Sequence, residues 1–172
     1  MRFRSRSPED TRRLARRVAA ATLASADTRA VGLVIALVGP LGAGKTEWVK
    51  GFAEGFGIEP DDVTSPTFVI ATEHAGRRPL VHADVYRLAH AGELDAAGLG
   101  DWLAPGHVIA IEWADRFPDA LPADRVEVRL AAIAGAPGER AIEIVATGPV
   151  AKDLLARVAP DPAPGEEGAA WR

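Results

Sequence analysis

Lys45 and Thr46 close the stretch Gly39-Pro40-Leu41-Gly42-Ala43-Gly44-Lys45-Thr46, a cation and a hydroxyl behind a glycine-rich run. The spacing fits G-x-x-x-x-G-K-[ST], and phosphate binding explains each residue type in it. Glycines let the backbone curl so that successive N–H groups converge on phosphate oxygens. A lysine brings a point charge to the β and γ phosphates, and a threonine hydroxyl can ligate Mg²⁺. A helix starting at this point adds free N–H groups and the positive end of its dipole. The stretch reads as a nucleoside triphosphate site; the bland alternative is a glycine-rich turn between a strand and a helix.

The flanks supply the context that the motif needs. Residues 31–38 form an apolar run that predicts a buried strand. Trp48, Val49, Phe52, Ala53 and Phe56 recur at helical spacing and predict a helix over 47–56, stopped at Gly57. Two acids could serve the phosphates. Residues 107–113 read as an apolar strand ending in Glu112, the pattern of the magnesium-associated carboxylate. Asp84 ends a second predicted strand, 79–85, and shares one of its faces with His82 and Tyr86 by period 2. It is placed to orient the attacking water or to hold the magnesium's water shell. His82-x-Asp84 as a two-ligand zinc site lacks a third ligand. In Thr64-Ser65-Pro66-Thr67-Phe68 the proline imposes an extended chain with hydroxyls clustered about it. That segment reads equally as a sensor of γ-phosphate and metal or as a capped turn.

The remaining elements position these groups. Residues 2–6 predict a short edge strand, and Ser7, Pro8 and Asp10 predict a capped helix start. Leu14, Val18 and Ala21 form its buried stripe, and it ends at 23–26. Strands over 68–73 and 79–85 are joined by a hairpin turn; a helix spans 92–103, weakened by Gly98 and Gly100. Strands follow at 125–130 and 141–146, then a short helix over 150–158. Residues 1–150 are expected to form one domain, with 151–172 a short C-terminal helix and a disordered tail rich in Pro, Gly, Ala and Glu. The fold class is α/β, a single P-loop domain with a mixed central sheet flanked by helices.

Composition excludes several functions. The absence of cysteine removes disulfides, thiolate catalysis and cysteine-ligated zinc. There is no run of 18 apolar residues and no signal-peptide core, so a cytoplasmic location is expected. A net charge of −4 argues against gripping nucleic acid unaided. Arg2, Arg4, Arg6, Arg12, Arg13, Arg16 and Arg17 crowd the start, as either the solvated side of a helix or a partner-facing patch.

Four segments in this order, Gly39–Thr46, Thr64-Ser-Pro-Thr-Phe68, His82-Ala-Asp-Val-Tyr-Arg-Leu88 and Ile111-Glu-Trp113, closely resemble the TsaE (YjeE) family over residues 8–147. The combination is much more specific than the phosphate loop alone. The resemblance implies a compact P-loop domain with a mixed sheet that binds ATP with Mg²⁺ and hydrolyses it slowly by itself. It implies TsaB and TsaD as partners, with hydrolysis supporting threonylcarbamoyl transfer to an adenosine in the tRNA anticodon loop. It assigns nucleotide contacts to Leu41, Gly42, Ala43, Gly44, Lys45, Thr46 and Glu47, with Lys45 as the phosphate lysine. Thr46 and Glu112 become the metal hydroxyl and carboxylate, Asp84 an acid near the nucleotide, and Ser65, Pro66 and Thr67 a switch-like segment. Thr11 and Arg140 match recurrent positions that could touch adenine or ribose. One departure stands out: Glu47 occupies the place of a second threonine, adding a negative charge beside the phosphates.

No glutamine is obviously placed to orient water and no arginine finger can be identified, so such a site should be slow until a partner completes it. A small P-loop kinase would share the loop and the acid, with Arg77, Arg78 and Arg87 as its only lid candidates. A nucleotide-gated protein-binding module is the other alternative.

Overall fold

The computed structural model describes residues 1–158; the stretch 159–172, expected to be disordered, lies outside the described residues. The strands are β1 (Arg2–Ser5), β2 (Leu33–Val38), β3 (Ala71–His74), β4 (Leu80–Asp84), β5 (Val108–Glu112), β6 (Val126–Ala132) and β7 (Arg140–Ala146). They form one sheet in the order β1-β7-β6-β2-β5-β4-β3. The central strands β6, β2, β5 and β4 run parallel; β7 pairs antiparallel with β6, β1 antiparallel with β7, and β3 antiparallel with β4. The helices are α1 (Pro8–Ala24), α2 (Asp27–Val31), α3 (Lys45–Gly55), α4 (Ala91–Ala96), α5 (Leu99–Trp102) and α6 (Pro149–Ala156).

Strands covered on both faces read as continuous apolar runs. In β2, Leu33, Ile35 and Leu37 join a core with α1, α3 and α6, while Val34 and Ala36 join a second core with α4, α5 and residues of 114–121. Trp48 and Phe52 of α3 stack with ring centroids 5.2 Å apart, and Phe56 at the helix's C-cap packs tilted against Phe52 at 4.9 Å. Only one face of β6 and β7 is covered, so their sequences alternate. Val126, Val128, Leu130, Ile142 and Ile144 point into the first core. The open face instead carries a run of ion pairs, Arg125–Glu127–Arg129–Glu143–Arg2. Ala151, Leu154 and Leu155 of α6 enter the first core, so this helix packs with the rest of the chain.

The arginine-rich start is largely internally paired: Arg2 with Glu143, Arg4 with Glu139, Arg12 with Glu47, Arg13 with Asp10, and Arg16 with Glu9 and Glu54. At the start of α1, the Asp10 N–H donates to Ser7 Oγ at 3.1 Å, and Asp10 Oδ2 accepts the Arg6 N–H at 3.0 Å. Three local readings differ from the sequence expectation. The helix expected over 92–103 divides into α4 and α5 because Gly98 takes φ 110°, which interrupts a helix. The strand expected from Phe68 begins at Ala71, because Pro66 O accepts the N–H groups of Val69 and Ile70 and turns the chain. The strand expected from Val31 begins at Leu33; α2 occupies 27–31 and Gly32 separates them.

Helices α1 and α3 approach backbone to side chain. A Cβ on Gly51 would lie 2.3 Å from Arg12 Cα, and one on Gly55 would lie 2.5 Å from Ala19 Cβ. Gly51→Ala should therefore destabilise the protein by about 1–3 kcal/mol through overpacking. Alanine in a roomy helix position does the reverse, by roughly 1 kcal/mol. Urea unfolding measures the difference, and a variant as stable as the parent would contradict the close approach.

Candidate nucleotide-binding site

The site lies at the C-terminal ends of the parallel strands, where β2 runs into the glycine loop. Gly39 is required by proximity, since a Cβ there would stand 2.3 Å from Leu130 O of the adjacent β6. The first helical bond of the turn into α3 runs from Trp48 N–H to Gly44 O at 2.9 Å. The N–H groups of Lys45, Thr46 and Glu47 lie before it, in the position that binds anions. Arg140 braces the loop from β7, donating to Ala43 O at 3.2 Å and Gly42 O at 3.1 Å. Leu41, at the loop's tip, is 89% exposed.

Lys45 folds inward. Its Nζ donates to Gly39 O at 2.7 Å and Pro40 O at 3.0 Å, and sits 3.7 Å from the centroid of the Trp113 ring. Burial pushes the Lys45 ammonium below the ordinary lysine range, against the opposing pull of Glu112, Asp84 and Asp115. Trp113 directly follows β5 in the left-handed region at φ 63°, an uncommon conformation for a bulky residue. Its ring also packs against Tyr86 at 4.9 Å.

The parallel register of β4 and β5 sets Asp84 beside Glu112 and His82 beside Ala110. Both acids are buried. The Thr46 hydroxyl donates to Glu112 Oε1 at 2.7 Å, and the same oxygen meets His82 Nε2 at 2.9 Å. Ser65 and Thr67 donate to Asp84 Oδ2 at 2.8 and 2.6 Å, while the Tyr86 N–H reaches Oδ1 at 2.9 Å. The segment 64–68 is thus tied to the acid at the end of β4. Thr46 and Glu112, hydrogen-bonded at 2.7 Å, offer adjacent hard oxygens of the kind that would hold a magnesium ion. Among the described residues no group of three or more His, Cys, Asp or Glu gathers as a metal cage. A magnesium held with substrate phosphates needs only one or two protein oxygens.

The geometry therefore brings together Lys45, Thr46, Asp84, Glu112, Ser65 and Thr67, with Arg140 behind the loop. Thr11 is placed differently: it is buried and its hydroxyl lies 2.7 Å from Ser5 Oγ, linking β1 to α1. Its neighbour Arg12 makes the contact that matters here, an ion pair with Glu47. The extra charge in the first turn of α3 thus has a partner. The sequence placed Arg12 only within the arginine-rich start and Trp113 and His82 only within the family motifs, His82-x-Asp84 lacking the third ligand of a zinc site. Arg78 is no lid. It precedes β4 at the end remote from Asp84, and its buried guanidinium donates to Gly106 O, Thr28 O, Thr28 Oγ1, and more distantly to Thr22 O and His107 O. With only neutral acceptors around it, burial pushes this guanidinium below its ordinary range. Arg77 lies in the same turn, its N–H bonding Phe56 O at the end of α3 remote from the phosphate loop, which leaves Arg87, 5.2 Å over Phe68, as the lid candidate near the switch-like segment.

A glycine loop between β2 and α3, a lysine folded under it and a threonine–glutamate pair at the C-terminal end of β5 define a P-loop nucleotide-binding protein. Residues 5–142 match the family model described as "Threonylcarbamoyl adenosine biosynthesis protein TsaE", and the chain belongs to the TsaE family of tRNA threonylcarbamoyladenosine biosynthesis. It is 39% identical over 129 residues to the tRNA threonylcarbamoyladenosine biosynthesis protein TsaE of Bacillus subtilis, covering 74% of this chain and 75% of that protein. The same-named protein of Treponema pallidum is 40% identical over 113 residues, 66% of this chain and 82% of that one. The crystal structure of Bacillus subtilis YdiB aligns with a TM-score of 0.70 at 33% identity, over 92% of this chain and 93% of that one. Among the described residues no helix is long and apolar enough to cross a membrane.

Arg12→Ala leaves Glu47 uncompensated beside the phosphates. Affinity for ADP at low salt should fall roughly three- to tenfold, and Arg12→Ala with Glu47→Ala should restore it. Equilibrium titration checks both; equal affinity in Arg12→Ala, or no recovery in the double variant, would remove the compensating role.

Proposed function

We propose that the chain is a magnesium-dependent ATPase, slow by itself, that works with TsaB and TsaD in forming threonylcarbamoyladenosine in the anticodon loop of tRNA, in the cytoplasm. The observation that carries this reading is the 2.7 Å bond between Thr46 and Glu112 at the start of the phosphate-loop helix, within the electrostatic reach of Lys45. Magnesium, when bound, neutralises the charge on the β- and γ-oxygens. The chain's own groups do the rest. The loop amides and Lys45 hold phosphate oxygens, Thr46 and Glu112 supply the two metal-binding oxygens, and Asp84 orients the water that attacks the γ-phosphate. Arg140 keeps the loop carbonyls turned away from the anion, and Thr11 acts through its helix rather than by direct contact.

Slow turnover follows from how these groups are engaged. Lys45 is held by two carbonyls and an aromatic face, Thr46 by Glu112, and Asp84 by the hydroxyls of Ser65 and Thr67. Lys45 and Asp84 must leave these partners before they can act, whereas Thr46 and Glu112 already stand together. Partner proteins that draw the 64–68 segment away from Asp84 would free that carboxylate for catalysis. Large apolar side chains exposed on the same segments supply a surface for them: Leu41 on the loop, Phe68 and Val69 beside Thr67, and Tyr86 after Asp84.

Phosphate release from Mg·ATP should rise at least tenfold when TsaB and TsaD are added, and Lys45→Ala should abolish it with or without them. A rate unchanged by the partners would remove them from the reading. Turnover that appears only with an added small acceptor would move it to a kinase.

A further inference from the structure

We infer that His82 is the positioning residue of the magnesium carboxylate: its Nε2–H holds Glu112 Oε1 in the orientation that lets magnesium strengthen nucleotide binding. The inference rests on the reading of Thr46 and Glu112 given above, and extends it to a residue that touches neither nucleotide nor metal.

His82 lies in the middle of β4 on the face that carries Asp84, with 0% exposure. Its Nε2 meets Glu112 Oε1 at 2.9 Å, and that oxygen also accepts the Thr46 hydroxyl at 2.7 Å. A carboxylate oxygen only accepts, so the ring nitrogen facing it carries the hydrogen. The other nitrogen, Nδ1, is buried and has no hydrogen-bond partner. The ring is therefore a poor solution to a packing problem. An aliphatic side chain at this position, beside Leu80 in the same strand and across from Ala110 in the next, would bury no unpaired nitrogen of its own. What the imidazole adds is one directed bond to Glu112.

That bond is also the reason His82 is not itself a ligand. Nε2 is occupied by the carboxylate, and no other acidic or imidazole group joins it in a cluster of three among the described residues. The arrangement is that of an outer partner that orients a metal-binding oxygen from behind. The Thr46 hydroxyl approaches from the loop, the imidazole from the strand, and Glu112 is pinned between them. Removing the imidazole frees the carboxylate to rotate and leaves Thr46 as the single side chain holding Oε1.

The test is the gain in nucleotide affinity that magnesium confers, read by equilibrium titration of ADP and ATP with magnesium and with EDTA. His82→Leu should cut the magnesium-dependent gain about tenfold, the lower end of what loss of an outer partner costs, and leave affinity in EDTA unchanged. His82→Gln, whose amide N–H reaches the place of Nε2, should keep the gain within about threefold. Urea unfolding of both variants shows whether they are folded under the assay conditions. A full magnesium gain in His82→Leu, or an equal loss in the two folded variants, would overturn the inference. Glu112→Ala separates it from its foundation. If that variant keeps the gain, the magnesium role of Glu112 fails; if it loses the gain while His82→Leu keeps it, only the positioning role of His82 fails.

Discussion

A buried carboxylate between a threonine of one element and a histidine of another is the constraint on which the site depends. Glu112 is only 3% exposed, and an ionised carboxylate removed from water costs several kcal/mol unless hydrogen bonds replace its hydration. Two donors converge on one of its oxygens, and bonds to a charged acceptor contribute roughly 1.5–3 kcal/mol each. Those donors come from the phosphate-loop helix and from the next parallel strand, so the loop, β4 and β5 cannot shift independently. The parallel register that sets Asp84 beside Glu112 extends the arrangement to the second acid. A sheet whose strands were antiparallel at this point would not deliver both acids to one end.

The same logic governs the groups around the phosphate loop. A cation, a hydroxyl and an acid are costly to leave unpaired in a buried site. Each has found an internal partner: carbonyls and the Trp113 face for Lys45, Glu112 for Thr46, Ser65 and Thr67 for Asp84. The left-handed backbone at Trp113 is part of this arrangement, since it turns the residue after Glu112 so that the indole covers the lysine. Ile70, a β-branched residue at φ 69°, marks strain at the far end of the hydroxyl-bearing segment. The stretch from Ser65 to Ile70 thus joins the hydroxyls that hold Asp84 to a strained turn.

Much of this was legible in the sequence, for local reasons. The glycine spacing, the apolar run before it and the aromatic periodicity after it specify strand, loop and helix without reference to the rest of the chain. Glu112 was legible because its strand is apolar on both faces and then ends in an acid. The Ser7 cap and the 71–84 hairpin announce themselves through short-range chemistry. What could not be read depends on distant packing. Thr11 and Arg12 are adjacent in sequence, yet which of them faces the loop is decided by how α1 lies on α3. Arg78 looked like a lid because a surface arginine and a buried one are the same letter; the neutral acceptors that surround it come from the end of α1, α2 and the loop before β5. His82 read as half of a zinc pair with no third ligand, and only the folded sheet shows that its nitrogen meets Glu112.

Glu47 connects helix packing to ligand chemistry. An acid in the first turn of α3 favours the helix, because it meets the positive end of the dipole, but opposes a triphosphate that seeks the same end. The conflict is resolved from α1, where Arg12 reaches across to Glu47. That reach is available because Gly51 lets the backbone of α1 at Arg12 come down onto α3 without an intervening side chain. A glycine chosen by packing therefore sets the distance over which an arginine can neutralise a charge, and that charge sits one residue beyond Thr46. Bulk at Gly51 would lift Arg12 from the site as surely as deleting its guanidinium would. The α1–α3 contact is for that reason part of the electrostatics of the phosphate loop as well as of the core.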